Sequence, residues 1–225
     1  MEKINSLQKI FNRIYYFLFV ERFKKKINFK FPDNFSRLDM INYFIKKMNY
    51  KHYLEIGCDK NQIFSKIFLE NKIGVDPVSG GNIRLTSDQF FKKNSRKFDI
   101  IFIDGLHEYL QVKRDILNSI ECLNDNGIIL VHDCLPESLA KQAVPRFKML
   151  WNGNVWKAIV DLRREKNLEI FTCEVDQGIG IIQKKSNSSI LQIDKSMDEL
   201  KFKDFYYNHV SYMRIIDLKE FYKIY

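Results

Sequence analysis

Four short segments, in fixed order between residues 53 and 133, limit what this chain can fold into more than any other feature. They read Tyr53-Leu54-Glu55-Ile56-Gly57, Ile73-Gly74-Val75-Asp76, Phe98-Asp99-Ile100-Ile101-Phe102-Ile103-Asp104-Gly105-Leu106-His107 and Gly127-Ile128-Ile129-Leu130-Val131-His132-Asp133. Each is an apolar run that stops at acidic or polar residues. The stretches 100–103 and 128–131 are apolar throughout, as strands buried on both faces of a parallel sheet should be. Helical segments separate the runs, and a β-α-β-α rhythm implies a parallel sheet with helices on both faces. Ligands of such sheets bind beyond the carboxyl ends of the strands. Glu55, Asp76, Asp104, His107, His132 and Asp133 are therefore expected to converge on one pocket.

Around this core, a basic, aromatic-rich amphipathic helix is expected over 1–28, broken by Pro32 and Asp33, and a second helix over 36–49. Strand 52–57, helix 61–70 and strand 72–76 follow. Residues 82–95 should carry a short strand and a helix around Ser87–Phe91. Strand 99–103, helix 108–123 and strand 127–132 complete the alternation. Beyond the long segment 134–154 come helix 155–165 and two strands, about 168–175 and 179–184. These flank the turn Asp176-Gln177-Gly178, a hairpin signal. A polar linker, 185–193, precedes a final aromatic helix over 196–222. The expected organisation is an N-terminal helical cap (1–35), a core domain (36–185), and a linker with a C-terminal helix packed on it (186–225).

The net charge is +9, from 37 Lys and Arg against 28 Asp and Glu. That balance favours anionic partners, but general lysine enrichment accounts for it equally well. No basic stretch is interleaved with aromatics in an RNA-binding pattern. Cys58, Cys122, Cys134 and Cys173 form no C-x-x-C pair and no zinc-type spacing. With no secretory signal, reduced thiols and a cytoplasmic location are expected. The apolar run Ile14–Val20 is far shorter than the roughly 20 residues that span a bilayer. The N-terminal helix is expected to pack on its own domain or on the second subunit of a homodimer, with a membrane surface as the alternative.

Gly57 lets the backbone approach a ligand. It is followed by Cys58, Asp59, Lys60 and Asn61 with no second glycine, so the G-x-G-x-x-G cradle of NAD and FAD sites is missing. Asp76 follows Glu55 by roughly 20 residues, the interval at which an acid reaches ribose hydroxyls in nucleoside-binding α/β folds.

Taken together and in order, these blocks resemble class I S-adenosylmethionine-dependent methyltransferases. The segments IDGLHEY (103–109), VHDCLP (131–136) and WNGNVWKA (151–158) resemble more closely the bacterial small-molecule O-methyltransferases of surface-polysaccharide and antibiotic pathways. The similarity covers roughly residues 36–184. It implies a Rossmann-like fold: a mostly parallel seven-stranded sheet with an antiparallel C-terminal strand, helices on both faces and an N-terminal helical cap. It also implies an O-methyltransferase acting on a sugar or sugar-linked group of a capsular polysaccharide or its nucleotide-activated precursor. Glu55 and Gly57 would lie along the methionine part of the donor, Asp76 at the ribose, Ser87 and Asp88 near the adenine, and Asp104 under the sulfonium. Asn61 stands where that family usually has glycine.

Divalent-metal O-methyltransferases are similar at Asp104, His132 and Asp133, which could hold Mg²⁺ or another divalent ion. His107 matches the position of a basic residue near the accepting hydroxyl in metal-dependent catechol methyltransferases, so it is the expected general base, with Asp104 and His132 beside it. Trp151, Trp156 and Lys157 fall where this fold carries substrate-binding insertions; the aromatic rings could stack on a sugar, or the tryptophans could be core. Two rival readings stay open: an RNA methyltransferase, and a non-catalytic binding protein of the same fold.

Overall fold

The structure, a computed structural model, describes residues 5–225; the first four residues of the helix expected over 1–28 lie outside the described residues. The strands are β1 (His52–Ile56), β2 (Asn71–Val75), β3 (Phe98–Ile103), β4 (Leu123–Val131), β5 (Glu169–Cys173), β6 (Ile179–Gln183) and β7 (Ile215–Ile216). They form one sheet in the order β2-β1-β3-β4-β6-β5-β7. The first four run parallel. β6 is antiparallel to both β4 and β5, and β7 extends β5 in parallel. The Rossmann-like sheet expected from the sequence is thus present, its antiparallel member supplied by the hairpin around 176–178. Strand order reverses between β1 and β3, which is where an open α/β sheet forms its ligand crevice.

The period-two alternation of the strands splits the core into two layers. Leu54, Ile56, Ile101, Ile103, Ile129 and Val131 face one layer. There they meet α3 (Ser87–Lys93), α4 (Tyr109–Cys122), α6 (Trp156–Leu162) and α7 (Phe202–Met213). Tyr53, Ile100, Phe102, Ile128 and Leu130 face the other layer, against Met40, Ile41 and Phe44 of α2 (Arg37–Met48) and Phe221 of α8 (Leu218–Ile224). A capping box between Ser36 and Asp39 starts α2, and so fixes Arg37 at its first turn. The remaining helices are α1 (Ser6–Tyr15), continued by a π-turn Tyr16–Val20, and the short α5 (Leu139–Gln142).

Four expected elements differ. No α-helix forms over 61–70; turns lead to a single 3-10 turn at Phe64–Lys66. Asn61 there has φ 60°, and its side-chain oxygen accepts the Gly81 amide at 2.6 Å. Lys72 Nζ donates to the carbonyls of Phe64 and Ile67 at 2.9 and 2.7 Å. These long-range bonds outweigh a modest local helical preference. The strand expected within 82–95 shrinks to one bridge, Val75 to Ile83. The single C-terminal helix over 196–222 is instead two: Arg214 turns left-handed at φ 48°, β7 pairs with β5, and Asp217 caps α8. At the other end the expected helix 1–28 stops at Val20, and 21–35 is extended or in turns.

Candidate functional site

Gly57 leaves β1 at φ 87°, and a Cβ there would overlap the backbone of Asp104 and Gly105. The ends of β1 and β3 therefore touch, and one cleft of about 700 Å³ opens beyond them. That is within the roughly 300–1,000 Å³ of small-molecule sites. It has two halves. Glu55, Gly57, Asp76, Ser87 and Asp88 line one; His107, His132, Asp133, Trp151 and Asp176 line the other; Asp104 stands between them.

In the first half, Glu55 is buried, and its carboxylate accepts the Tyr53 hydroxyl at 2.5 Å. Burial raises its pKa, the Tyr53 bond offsets part of that, and the nearby Asp104 charge adds to it, leaving it at about 7. Asp76 accepts four backbone amides: Val78 and Ser79 on one oxygen (2.8 and 2.9 Å), Cys58 and Asp59 on the other (3.1 and 3.0 Å). Burial would raise its pKa, but these bonds outweigh it and lower the value. A carboxylate offers about four acceptor sites, so Asp76 clamps two loops at the cleft edge. Ser87 and Asp88 open α3, behind the capping residue Thr86. Gln111 Nε2 of α4 donates to Ser87 Oγ, Asp88 Oδ1 and Asp115 Oδ1 at 3.1, 3.2 and 3.0 Å. Asp115 is buried, and desolvation pushes its pKa up to about 6. Neither Gln111 nor Asp115 was expected; the available signal was an acid inside the buried stripe of α4, between Val112 and Ser119.

The second half gathers three carboxylates, two imidazoles and one guanidinium. His107 Nε2 lies 3.3 Å from Asp104 Oδ1, and its Nδ1 lies 3.0 Å from the Trp151 carbonyl and 3.2 Å from Asp133 Oδ2. His132 Nδ1 is 3.3 Å from Asp104 Oδ1 and 3.4 Å from Asp133 Oδ2, while its Nε2 is 3.5 Å from Asp176 Oδ1. Arg37 Nη1 is 3.4 Å from Asp104 Oδ2 and within 2.9 Å of both His132 ring nitrogens. Asn152 Nδ2 donates to Asp133 Oδ1 at 2.8 Å. Burial disfavours both imidazolium ions, but Asp133 and Asp104 outweigh it and hold both histidines above their usual range. Asp104 is correspondingly lowered: burial opposes ionisation, and His132 and His107 overcome it. Burial likewise opposes ionisation of Asp176, but the bond to His132 brings it to about 2. Arg37 and an imidazolium at His132 cannot share this space without repulsion. The His132 proton and Arg37 are competing cations for Asp104 and Asp176, and the two histidines share Asp104 and Asp133.

Arg37 and Asp176 were missed as site residues. Arg37 sits in an ordinary helix start, and Asp176 reads from sequence only as a turn. Of the tryptophans, Trp151 lines the cleft and stacks on His107 with ring centres 5.4 Å apart. Trp156 is fully buried core, and Lys157 donates to the Met197 carbonyl at 2.6 Å, so neither belongs to the cleft. Gly153, at φ 61°, leaves room for the His107 carbonyl, which a Cβ would strike.

Donor atoms of Asp104, His107 and Asp133 lie within 4.8 Å of one another. One carboxylate from each strand end and an imidazole form a set that suits a divalent ion. His132 is near the same carboxylates but faces Arg37.

Residues 61–134 match the family model described as "Methyltransferase domain". No curated protein matches. Among solved structures, a candidate caffeoyl-CoA O-methyltransferase from Staphylococcus aureus is 17% identical, with 69% of this chain and 86% of that chain covered and a TM-score of 0.51. The SAH-bound methyltransferase PaMTH1 of Podospora anserina is 15% identical, with 67% and 78% covered and a TM-score of 0.48. The SAH complex of an O-methyltransferase from Bacillus cereus is 8% identical, with 78% and 97% covered and a TM-score of 0.49. The sheet has the Rossmann-like fold of the Staphylococcus aureus structure, and the segment that resembles methyltransferase domains runs through its cleft.

Proposed function

We propose that the chain transfers the methyl group of S-adenosylmethionine to a hydroxyl of a sugar or sugar-linked group, on a capsular polysaccharide or its nucleotide-activated precursor, in the cytoplasm. One observation carries this reading: a single cleft joins the groove lined by Glu55, Gly57, Asp76, Ser87 and Asp88 to a buried cluster of titratable groups at the ends of β3 and β4.

In the donor half, Gly57 admits the methionine portion and Glu55 lies beside it. The ribose hydroxyls meet Asp76, replacing the amides of Cys58 and Asp59, and the adenine lies by Ser87, Asp88 and Gln111. In the acceptor half, Trp151 lines the wall against which a sugar ring would rest. The acceptor oxygen attacks the methyl carbon in line with the leaving sulfur. The C–S bond breaks, its electron pair stays on sulfur, and S-adenosylhomocysteine results. The hydroxyl proton passes to His107. Its Nδ1–H is held by the Trp151 carbonyl, so in the neutral ring Nε2 carries the lone pair that accepts it. Alignment of the two reactants supplies much of the acceleration.

The donor set formed by Asp104, His107 and Asp133, with His132 close by, also fits a divalent ion. Such an ion would polarise the acceptor oxygen and neutralise the carboxylates now balanced by protons and Arg37. Where it binds, His132 rather than His107 is the imidazole left free for the proton.

The test is direct. Calorimetry should show S-adenosylmethionine binding, and mass spectrometry of surface glycan from cells with and without the gene should differ by one methyl group. Failure to bind the donor would leave a non-catalytic protein of this fold.

A further inference from the structure

A helix resting on its own domain normally buries its apolar stripe. Helix α1 does the reverse. Its inward side carries Asn12, whose Nδ2 donates to the Arg146 carbonyl at 2.8 Å. The turn that follows carries Tyr16, whose hydroxyl accepts from Gln142 Nε2 at 2.6 Å. Its outward side carries Leu7, Ile10, Phe11 and Ile14 at helical spacing and the following π-turn carries Leu18, all exposed, with Phe11 at 69%. Tyr16 and Phe17 pack on Phe147, with ring centres 5.7 and 6.2 Å away. Just beyond it, Met149 and Leu150 are exposed and also line the acceptor end of the cleft. One apolar ridge thus runs from α1 to the mouth of the site.

The charge around that ridge says what covers it. Residues 5–30 hold seven lysines and arginines, among them Lys24, Lys25 and Lys26, against one acid, Glu21. The Glu21 carboxylate is already held by the amides of Phe202 and Lys203 at 2.8 Å each. A second copy docked through a two-fold axis would bring the same cations face to face. An anionic lipid surface complements both the cations and the exposed aromatics. We propose that α1 and the adjoining 147–150 segment dock the protein on an anionic membrane surface, turning the acceptor mouth toward the lipid. On the functional reading above, the acceptor is then a glycan carried on a lipid anchor.

Flotation of the full chain with vesicles tests the docking without any methyl donor, so its outcome is independent of the transferase reading. The chain should float with phosphatidylcholine vesicles containing phosphatidylglycerol, weakly with phosphatidylcholine alone, and less as salt is raised. The double variant Phe11→Glu, Ile14→Glu should bind at least about tenfold more weakly. Its far-UV circular dichroism should be unchanged, because both side chains are exposed. Since all four cysteines are buried, a Met149→Cys variant can be labelled selectively; an environment-sensitive dye there should shift to the blue on anionic vesicles. Absence of flotation, or equal flotation of the double variant, overturns the docking. An unmoved dye signal overturns the orientation. A dimer that the double variant dissociates, without vesicle binding, assigns the ridge to a second copy instead.

Discussion

His107 is held at both ring nitrogens by acceptors, so its resting form is the imidazolium and it must lose a proton before it can act as a base. If it is that base, kcat should rise with pH through a value above the usual histidine range. His107→Ala should lower kcat by about 10²–10⁴-fold, erase that inflection and leave donor affinity nearly unchanged. Near-normal turnover in the variant would move the role to His132. Glu55 gives a second residue-scale expectation. With its pKa at about 7, it is half protonated near neutrality, and a cationic donor beside it favours the carboxylate. Donor affinity should therefore increase as pH rises through about 7, and calorimetry in buffers of different ionisation enthalpy should register a released proton. At Asp76, removing the carboxylate deletes a charged hydrogen-bond acceptor worth about 1.5–3 kcal/mol. Asp76→Ala should weaken donor binding by roughly 10- to 100-fold, and amide exchange at Cys58, Asp59, Val78 and Ser79 should quicken. Unchanged affinity would remove Asp76 from the ribose. That Asp104, His107, His132 and Asp133 share a pocket was legible, because strand ends fix them. That Arg37 and Asp176 join them was not: each reaches the cluster through contacts 67 or more positions away in sequence, or through a neighbour strand only the sheet order reveals.

At the scale of elements, the segment 151–154 works as a latch. Asn154 N donates to the His107 carbonyl at 3.2 Å, and Asn154 Oδ1 accepts the Tyr109 amide at 2.6 Å. Gly153 passes over that carbonyl in a left-handed conformation. Gly153→Ala should cost about 1–3 kcal/mol from backbone strain alone, with a further loss from the overlap, and should disturb His107. Gly105→Ala makes the matching control, since its Cβ would meet Ile56 Cγ2 at 3.5 Å, ordinary contact. Equal denaturation midpoints for the two variants would refute the latch. The parallel strands, α4 and the 176–178 hairpin follow from periodicity and turn chemistry. The missing helix over 61–70 could not: its residues have a helical pattern, but Asn61 is claimed by Gly81 across the sheet edge. Asn61 holds φ 60° there, and asparagine is among the side chains that best tolerate that conformation.

For the molecule as a whole, the cleft is bought with stability. His107 and His132 bind protons more tightly folded than unfolded, so their contribution is complete below about pH 6.5 and lost as pH rises through their raised values. Glu55 at about 7 and Asp115 at about 6 act in the same direction, since the folded chain holds their protons beyond the unfolded range near 4. Asp76, Asp104 and Asp176 act oppositely: their contribution is present above about pH 4 and lost as pH falls toward their lowered values. With chelator present, the urea midpoint should therefore be higher at pH 5 than at pH 8. If a divalent ion binds at Asp104, His107 and Asp133, adding it at pH 8 should restore the midpoint and, in the turnover assay, reverse inhibition by chelator. A flat profile with no ion effect would leave the cluster to acceptor positioning alone.

The cleft's two halves come from different stretches of chain. Residues 53–115 build the groove for the donor, whereas 133–153 and the 176–177 turn build most of the wall on the acceptor side. A chain divided in this way can be retargeted piecewise. Exchanging 134–150 and the hairpin tip for those of another protein of this fold should give a chimera with a new acceptor and an unaltered donor affinity.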